Sequence, residues 1–184
     1  MTNTLPQRAA DLKARLNRVA DLSSEIQKAS DLESLRQDLA RRVDKLDPQI
    51  GKDAVLRVNG IALTRPASVQ RSAKRASGLL EKFRAEPTVA TLKKGQVWRS
   101  LLEEVDTAAS DLGQALQTAW RGARKSIFAG ATPTALEGQL ARTAENDAAL
   151  AKYRALHLDL DAVFQTVPSD QATIDKARRL AGEL

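Results

Sequence analysis

The sequence predicts an all-α protein, an elongated helical bundle built on a long antiparallel αα-hairpin. Its 184 residues are rich in Ala, Leu, Arg, Lys, Glu and Gln, the strongest helix formers, whereas aromatic residues make up only 3%. Apolar residues recur at intervals of three and four over most of the chain, which is the period of a helix with one buried face. Prolines and capping residues separate these periodic stretches and indicate where the helices begin and end.

Residues 1–50 predict an N-terminal helical segment with two apolar stripes. The first stripe contains Leu12, Leu16, Val19, Leu22 and Ile26, and the second contains Leu32, Leu35, Leu39, Val43 and Leu46. At 100° per residue the two stripes lie on nearly opposite faces of one helix. Because one straight helix with one neighbour cannot bury both stripes, the pattern predicts a bend near Ser30. Ser30 and Glu33 have the spacing of a capping box, which favours a helix start there.

Residues 51–65 predict either an irregular connection ending at Pro66 or a small β-hairpin over residues 54–64. In the hairpin interpretation Leu56 and Val58 alternate with Arg57, and Asn59-Gly60 forms the turn. Asn-Gly is the strongest short signal for a type I′ hairpin turn, because both residues tolerate positive φ. The sequence leaves both alternatives open.

Residues 66–184 predict a helical bundle. Pro66 begins a helix that extends to about Ala85, with a stripe formed by Val69, Ala73, Ala76, Leu80 and Phe83. Two long helices follow, at about 96–128 and 133–167, and a last short helix begins after Ser169.

A connection of only a few residues joins the two long helices, so they are expected to be antiparallel neighbours. Pairing about residue 131 would bring Glu103 and Glu104 to the same end of this hairpin as Asp159 and Asp161.

Few residues are candidates for catalysis or metal binding. The chain has no Cys, which excludes disulfides, thiolate metal sites and a cysteine nucleophile. Its single histidine, His157, has Asp159 and Asp161 nearby but neither a nucleophile nor a second imidazole, so we expect a solvent-facing or interface residue. The glycines are scattered and form no phosphate-binding loop. We therefore expect a non-enzymatic protein without catalytic residues, metal, cofactor or small-molecule substrate.

Positive charge is concentrated in residues 51–100, which hold 11 basic and 3 acidic residues within a chain of net charge +6. A basic face of this kind attracts the phosphates of nucleic acids. The candidate nucleic-acid-binding residues are Arg71, Lys74, Arg75, Lys82, Lys93, Lys94 and Arg99. The alternative is an ordinary solvated face that acidic residues of the same chain neutralise, and no motif for reading bases is present.

The leading functional prediction is a helical adaptor or structural subunit that binds another protein or a second copy of itself, in the manner of a coiled coil. The candidate partner-binding residues are Leu12, Leu16, Val19, Leu35, Leu39 and Val43. The alternative is a nucleic-acid-binding accessory protein that uses residues 51–100. No apolar run approaches the roughly 20 residues that span a bilayer, and the N-terminus lacks the apolar core of a signal peptide, so the sequence predicts a cytoplasmic protein without a membrane partner.

Overall fold

The computed structural model describes residues 5–184, with side chains described from residue 12 onward. The protein is all-α, as predicted: 83% of its residues are helical, and residues 5–184 contain no strand. The helices are α1 (Leu5–Val58), α2 (Ala67–Ala85), α3 (Val89–Lys93), α4 (Val97–Ile127), α5 (Pro133–Glu137), α6 (Ala144–Phe164) and α7 (Gln171–Glu183), with a 3₁₀ turn at Lys94–Gln96 between α3 and α4.

Helix α4 is the centre of the fold, and α1 runs parallel to it. Lys45 of α1 lies 3.1 Å from Asp106 of α4, and further along both helices Gln49 lies beside Gly113. The buried apolar face of α4 has helical spacing along its whole length, with Leu101, Val105, Ala108, Leu112, Leu116 and Trp120. This regular face requires long neighbours, and α1 supplies one of them.

Helix α2 runs antiparallel to α4 and covers the same part of it. The Ser68 hydroxyl donates a hydrogen bond of 2.7 Å to Asp111, and one end of Arg75 lies 2.8 Å from Glu104. The packed face of α2 differs from the predicted stripe. Ser68, Ser72 and Leu79 are buried, whereas Leu80 is 48% exposed. The helix is therefore rotated by about one residue from the predicted orientation, because its small serines allow a close approach to α4 and Ser68 forms a hydrogen bond with the Asp111 carboxylate.

The second arm of the predicted long hairpin is divided into α5 and α6. Residues 138–143 interrupt it, and the Thr143 hydroxyl accepts a hydrogen bond from the Asn146 amide to cap α6. Helix α6 lies against only the C-terminal part of α4, where Trp120 stacks on Phe164 with ring centroids 4.4 Å apart. The expected pairing of residues 103–104 with residues 159–161 is wrong, because α1 and α2 already cover the N-terminal part of α4.

The buried residues form two clusters along α4. The larger surrounds Trp120 and joins α1, α4, α6 and α7 through Leu56, Leu112, Leu116, Leu160, Phe164, Ile174, Ala177 and Leu180. The smaller lies near the start of α4 and contains Leu35, Leu79, Leu92, Leu101 and Val105. Leu46 packs against both clusters, so α1 links the two parts of the core.

The predicted β-hairpin at residues 54–64 is wrong, because α1 continues to Val58 and Asn59-Gly60 ends it. The Ile61 amide donates to the Leu56 carbonyl and the Gly60 amide donates to the Arg57 carbonyl, each at 3.0 Å. With Gly60 at φ 75°, this is a Schellman C-cap. A helix end of this type and a type I′ turn both need positive φ, so the same dipeptide suits either.

The helix start predicted at Ser30 is wrong, since α1 is a single continuous helix of 54 residues and about 80 Å. It passes Ser30 and Pro48 without a break between helical elements. Residues 31–58 of α1 pack along the rest of the protein, whereas residues 12–30 are exposed, and this difference produces the candidate interaction surface.

Candidate interaction surface

The N-terminal part of α1 extends away from the protein as a lone helix. Every residue from 12 to 30 is exposed, including five large aliphatic residues that share one face. Their exposed fractions are between 60% and 70%, and we call them the free stripe: Leu12, Leu16, Val19, Leu22 and Ile26. Scattered exposed leucines are ordinary on a protein surface, but a continuous aliphatic stripe marks a binding surface.

The second stripe of α1 lies on the opposite face and belongs to the core for much of its length. Leu35 is 7% exposed, Leu39 is half-buried, and Val43 is 42% exposed at the edge. On a regular helix the centres of the two stripes are about 200° apart. A continuous helix therefore accommodates both, because among the described side chains of α1 the buried ones lie in its second half.

The structure thus separates the six residues predicted to bind a partner. Leu12, Leu16 and Val19 lie on the free stripe. Leu35 is buried in the core, Leu39 is half-buried, and Val43 is exposed at the edge of the second stripe. Leu22 and Ile26 join the surface, although the partner-binding prediction omitted them. Their three-and-four spacing with Val19 was the signal that identifies them.

Several of the predicted nucleic-acid-binding residues have acidic neighbours within the chain. Arg75 pairs with Glu104, and Arg99 pairs with Glu103 at 2.9 Å. Lys93 lies 4.0 Å from Asp31. Among the described side chains, no ion pair forms with the other four predicted residues, Arg71, Lys74, Lys82 and Lys94.

Arg71, Lys74 and Arg75 line one shallow depression on α2. Glu104 lies in the same depression, where its pairing with Arg75 is an obstacle to an incoming phosphate. The basic face is therefore smaller than the sequence predicted, and one of its edges is acidic.

Two further basic residues of the region 51–100 hold the end of α1 in place. The Asp53 carboxylate is 1% exposed and accepts hydrogen bonds from Arg57 at 2.8 Å and from Arg65 at 2.9 Å. Burial by itself raises the pKa of Asp53, but the hydrogen bonds and charges of the two arginines outweigh it and lower that pKa below its ordinary value. This cluster closes residues 59–66 onto α1, and sequence reasoning missed it because Arg65 is distant along the chain.

His157 is buried between α4 and α6, not solvent-facing. Arg124 of α4 donates to its Nε2 at 3.1 Å, and its Nδ1 lies 3.2 Å from Asp161, one turn further along α6. The ring also meets the edge of Phe128, with centroids 5.9 Å apart. The contact with Arg124 joins α6 to α4, which is a structural role. Within the described side chains, no group of three or more acidic or His residues is arranged to hold a metal ion.

In the part of the chain that the structure describes, no helix is both long enough and apolar enough to cross a bilayer. Comparison with family models, with curated proteins and with solved structures finds no match to this chain. The candidate function therefore depends on the geometry and chemistry of the surfaces described above.

Proposed function

We propose that this protein is a non-enzymatic helical adaptor or structural subunit that binds another protein chain through the free stripe of α1. The observation that carries the proposal is the exposure of five aliphatic side chains on one face of a lone helix. An apolar stripe with three-and-four spacing is the surface that a partner helix covers in coiled-coil and helix-in-groove recognition.

The energetics of the lone helix support this proposal. Fully burying one Leu or Val side chain contributes roughly 1.5–3 kcal/mol, so covering the stripe offers several times that amount before the cost of association. Within the chain, the same stretch has only exposed local pairs such as Lys28–Glu25, which contribute little. A partner chain would therefore bury apolar side chains that the rest of this protein leaves exposed. The cytoplasm is the compartment we propose, because a chain without Cys suits a reducing environment.

The alternative is a nucleic-acid-binding accessory protein. The observation that favours it is the group of exposed cations on α2 and the following connection that have no acidic partner among the described side chains, Arg71, Lys74, Lys82 and Lys94. Four contacts to phosphates give at most weak, salt-sensitive binding without base recognition. We place this function second because Glu104 occupies the depression that Arg71 and Lys74 line.

Three variants of the full chain separate the two functions. The stripe variant carries Leu16→Gln and Val19→Gln, and its matched control carries Ala14→Gln and Asn17→Gln on the opposite face of the same turns. The basic-face variant carries Arg71→Glu, Lys74→Glu and Lys82→Glu, and leaves Arg75 with Glu104. Glutamine favours helix, so both α1 variants are expected to keep their helix content.

Each protein is used as bait in an extract of the source cells, and each is titrated with labelled duplex and single-stranded oligonucleotides. We expect the stripe variant to capture at least tenfold less protein than the original chain, while the control and the basic-face variant capture the same amount as the original chain. A protein complex that the stripe variant retains would contradict the proposal. Oligonucleotide binding at about 150 mM salt that only the basic-face variant abolishes would favour the alternative.

A further inference from the structure

The occupant of the free stripe can be specified from its length and its charges. We infer that a second copy of this chain covers it, with the N-terminal parts of the two α1 helices antiparallel. This inference rests on the proposed function and deepens it, because the partner chain becomes identical to the first.

The free stripe is short and has a defined end. Beyond Ile26 the same face of α1 continues with Ser30, Glu33 and Gln37, which are polar and exposed. From Leu12 to Ile26 the stripe covers about four turns and 21 Å. A partner with a longer apolar surface would leave part of itself exposed, whereas a second copy presents an apolar stripe of equal length.

The body of the protein does not obstruct this pairing. It packs on the face of α1 that contains Leu35, about 200° from Val19. A second helix on the free stripe therefore lies on the side away from the body. In the antiparallel arrangement the two bodies also project from opposite ends of the pair.

Charge distribution selects the antiparallel orientation. Residues 12–20 contain three basic residues, Lys13, Arg15 and Arg18, and no acidic residue. Residues 21–31 contain three acidic residues, Asp21, Glu25 and Asp31, and one basic residue, Lys28. A parallel pair brings the like-charged parts together, and an antiparallel pair brings the basic part of each helix beside the acidic part of the other.

The flanks of the stripe agree with this orientation. On a regular helix Arg15, Arg18 and Glu25 fall on the same side of the stripe. In an antiparallel pair with two-fold symmetry, the residues on one side of the stripe face the residues on the same side of the stripe in the other copy. With Val19 at the centre of the pair, Arg15 of each copy therefore lies near Glu25 of the other. Among the described side chains of one chain, Glu25 pairs only with the exposed Lys28 at 3.2 Å, and a surface pair of this kind contributes little stability.

Charge reversal at these positions tests the inference by sedimentation equilibrium over about a hundredfold range of protein concentration. The original chain is expected to form a dimer. Arg15→Glu and Glu25→Arg are each expected to raise the dimer dissociation constant about fivefold, and the double variant is expected to restore it, because two unlike pairs re-form. Asp21→Arg is the control, since it makes the same charge change as Glu25→Arg on the face opposite the stripe.

Single cysteines test the orientation independently, because the chain has no native Cys. A disulfide requires Cα atoms within about 7 Å. In the antiparallel pair Val19→Cys lies near the centre and is expected to cross-link, whereas two copies of Leu12→Cys lie roughly 20 Å apart and are not. In a parallel pair both positions cross-link, so efficient cross-linking at position 12 would overturn the antiparallel orientation.

The outcomes separate this inference from the proposed function. A chain that stays monomeric at every concentration overturns self-association, and so does a dimer that Leu16→Gln with Val19→Gln leaves intact. If the monomeric chain still binds another protein through the stripe, only the identity of the partner is wrong. If it binds no protein through the stripe either, the proposed function fails as well.

Discussion

Val19 and Leu35 lie on opposite faces of one continuous helix, and their exposures differ ninefold: Val19 is 63% exposed and Leu35 is 7% exposed. Both residues belong to aliphatic stripes of similar strength in the sequence. Among the described side chains, only the stripe of Leu35 has apolar neighbours from other helices, which are α2, α3 and α4. The difference between these two residues is the physical basis of the proposed interaction surface.

The Asp53 cluster gives a prediction about acid stability. We expect Asp53→Asn to lower the free energy of unfolding at neutral pH by about 1–3 kcal/mol, because the carboxylate loses its charged hydrogen bonds from Arg57 and Arg65. Asp47→Asn is the control, since Asp47 is exposed on the same helix. Urea unfolding of the three proteins measures both effects.

The pH dependence of that difference follows from the lowered pKa of Asp53. A group whose folded-state pKa is depressed stabilises the fold above its unfolded pKa, and this contribution is lost as the pH falls through the folded-state pKa. The stability difference between the original chain and Asp53→Asn is therefore expected to shrink as the pH is lowered from 7 towards about 2. A difference that stays constant or grows on acidification would contradict this account of the cluster.

Alanine substitution should change the free energy of unfolding in opposite directions at two glycines, one in the C-cap of α1 and one inside α2. Gly60 has φ 75° in the C-cap of α1, and an added Cβ would meet nothing within 4 Å, so Gly60→Ala tests backbone conformation alone. We expect a loss of about 1 kcal/mol. Gly78 lies inside α2 with equally open space, and Gly78→Ala is expected to add roughly 0.5–1 kcal/mol. Thermal unfolding distinguishes them, and two changes of the same sign would argue against the C-cap geometry.

His157 is predicted to be important for stability and not for binding. His157→Ala removes the hydrogen bond that the ring accepts from Arg124 and the ring's contact with Phe128, and should cost about 1–3 kcal/mol. Leu158→Ala is the adjacent control, because Leu158 is 69% exposed and should change stability by no more than about 0.5 kcal/mol. Binding through the free stripe should be equal in both variants when measured well below their melting temperatures. A binding defect in folded His157→Ala would show that this region takes part in recognition.

The sequence predicted the fold class and most helix boundaries, because helical periodicity and proline positions are local signals. It failed at Asn59-Gly60, since the backbone conformation that this dipeptide favours serves a hairpin and a helix C-cap equally well. It also failed on the face of α2, where Ser68 and Ser72 are buried by their contacts with α4 and not by their own hydrophobicity. Such contacts depend on residues more than 40 positions away, which periodicity cannot identify.

The candidate site was likewise only partly predictable from the sequence, as the two stripes of α1 show. Their spacing and their opposite faces were visible in the sequence, but which stripe the body covers was not. The sequence pattern therefore predicted a bend near Ser30, whereas the helix is continuous and simply extends past its neighbours. Tertiary contacts, which begin near Asp31, decide that Leu35 is core and that Leu16 is surface.

Hydrogen–deuterium exchange of α1 tests the central claim most directly, because it reports the protection of each part of the same helix. In dilute protein we expect slow exchange for residues 31–58, which pack on the body, and much faster exchange for residues 12–28, which do not. On raising the concentration, or on adding a bound partner chain, protection should extend over residues 12–26 and stay unchanged elsewhere. Residues 12–28 that are already as protected as residues 31–58 in dilute protein, or that gain no protection in the complex, would contradict the account.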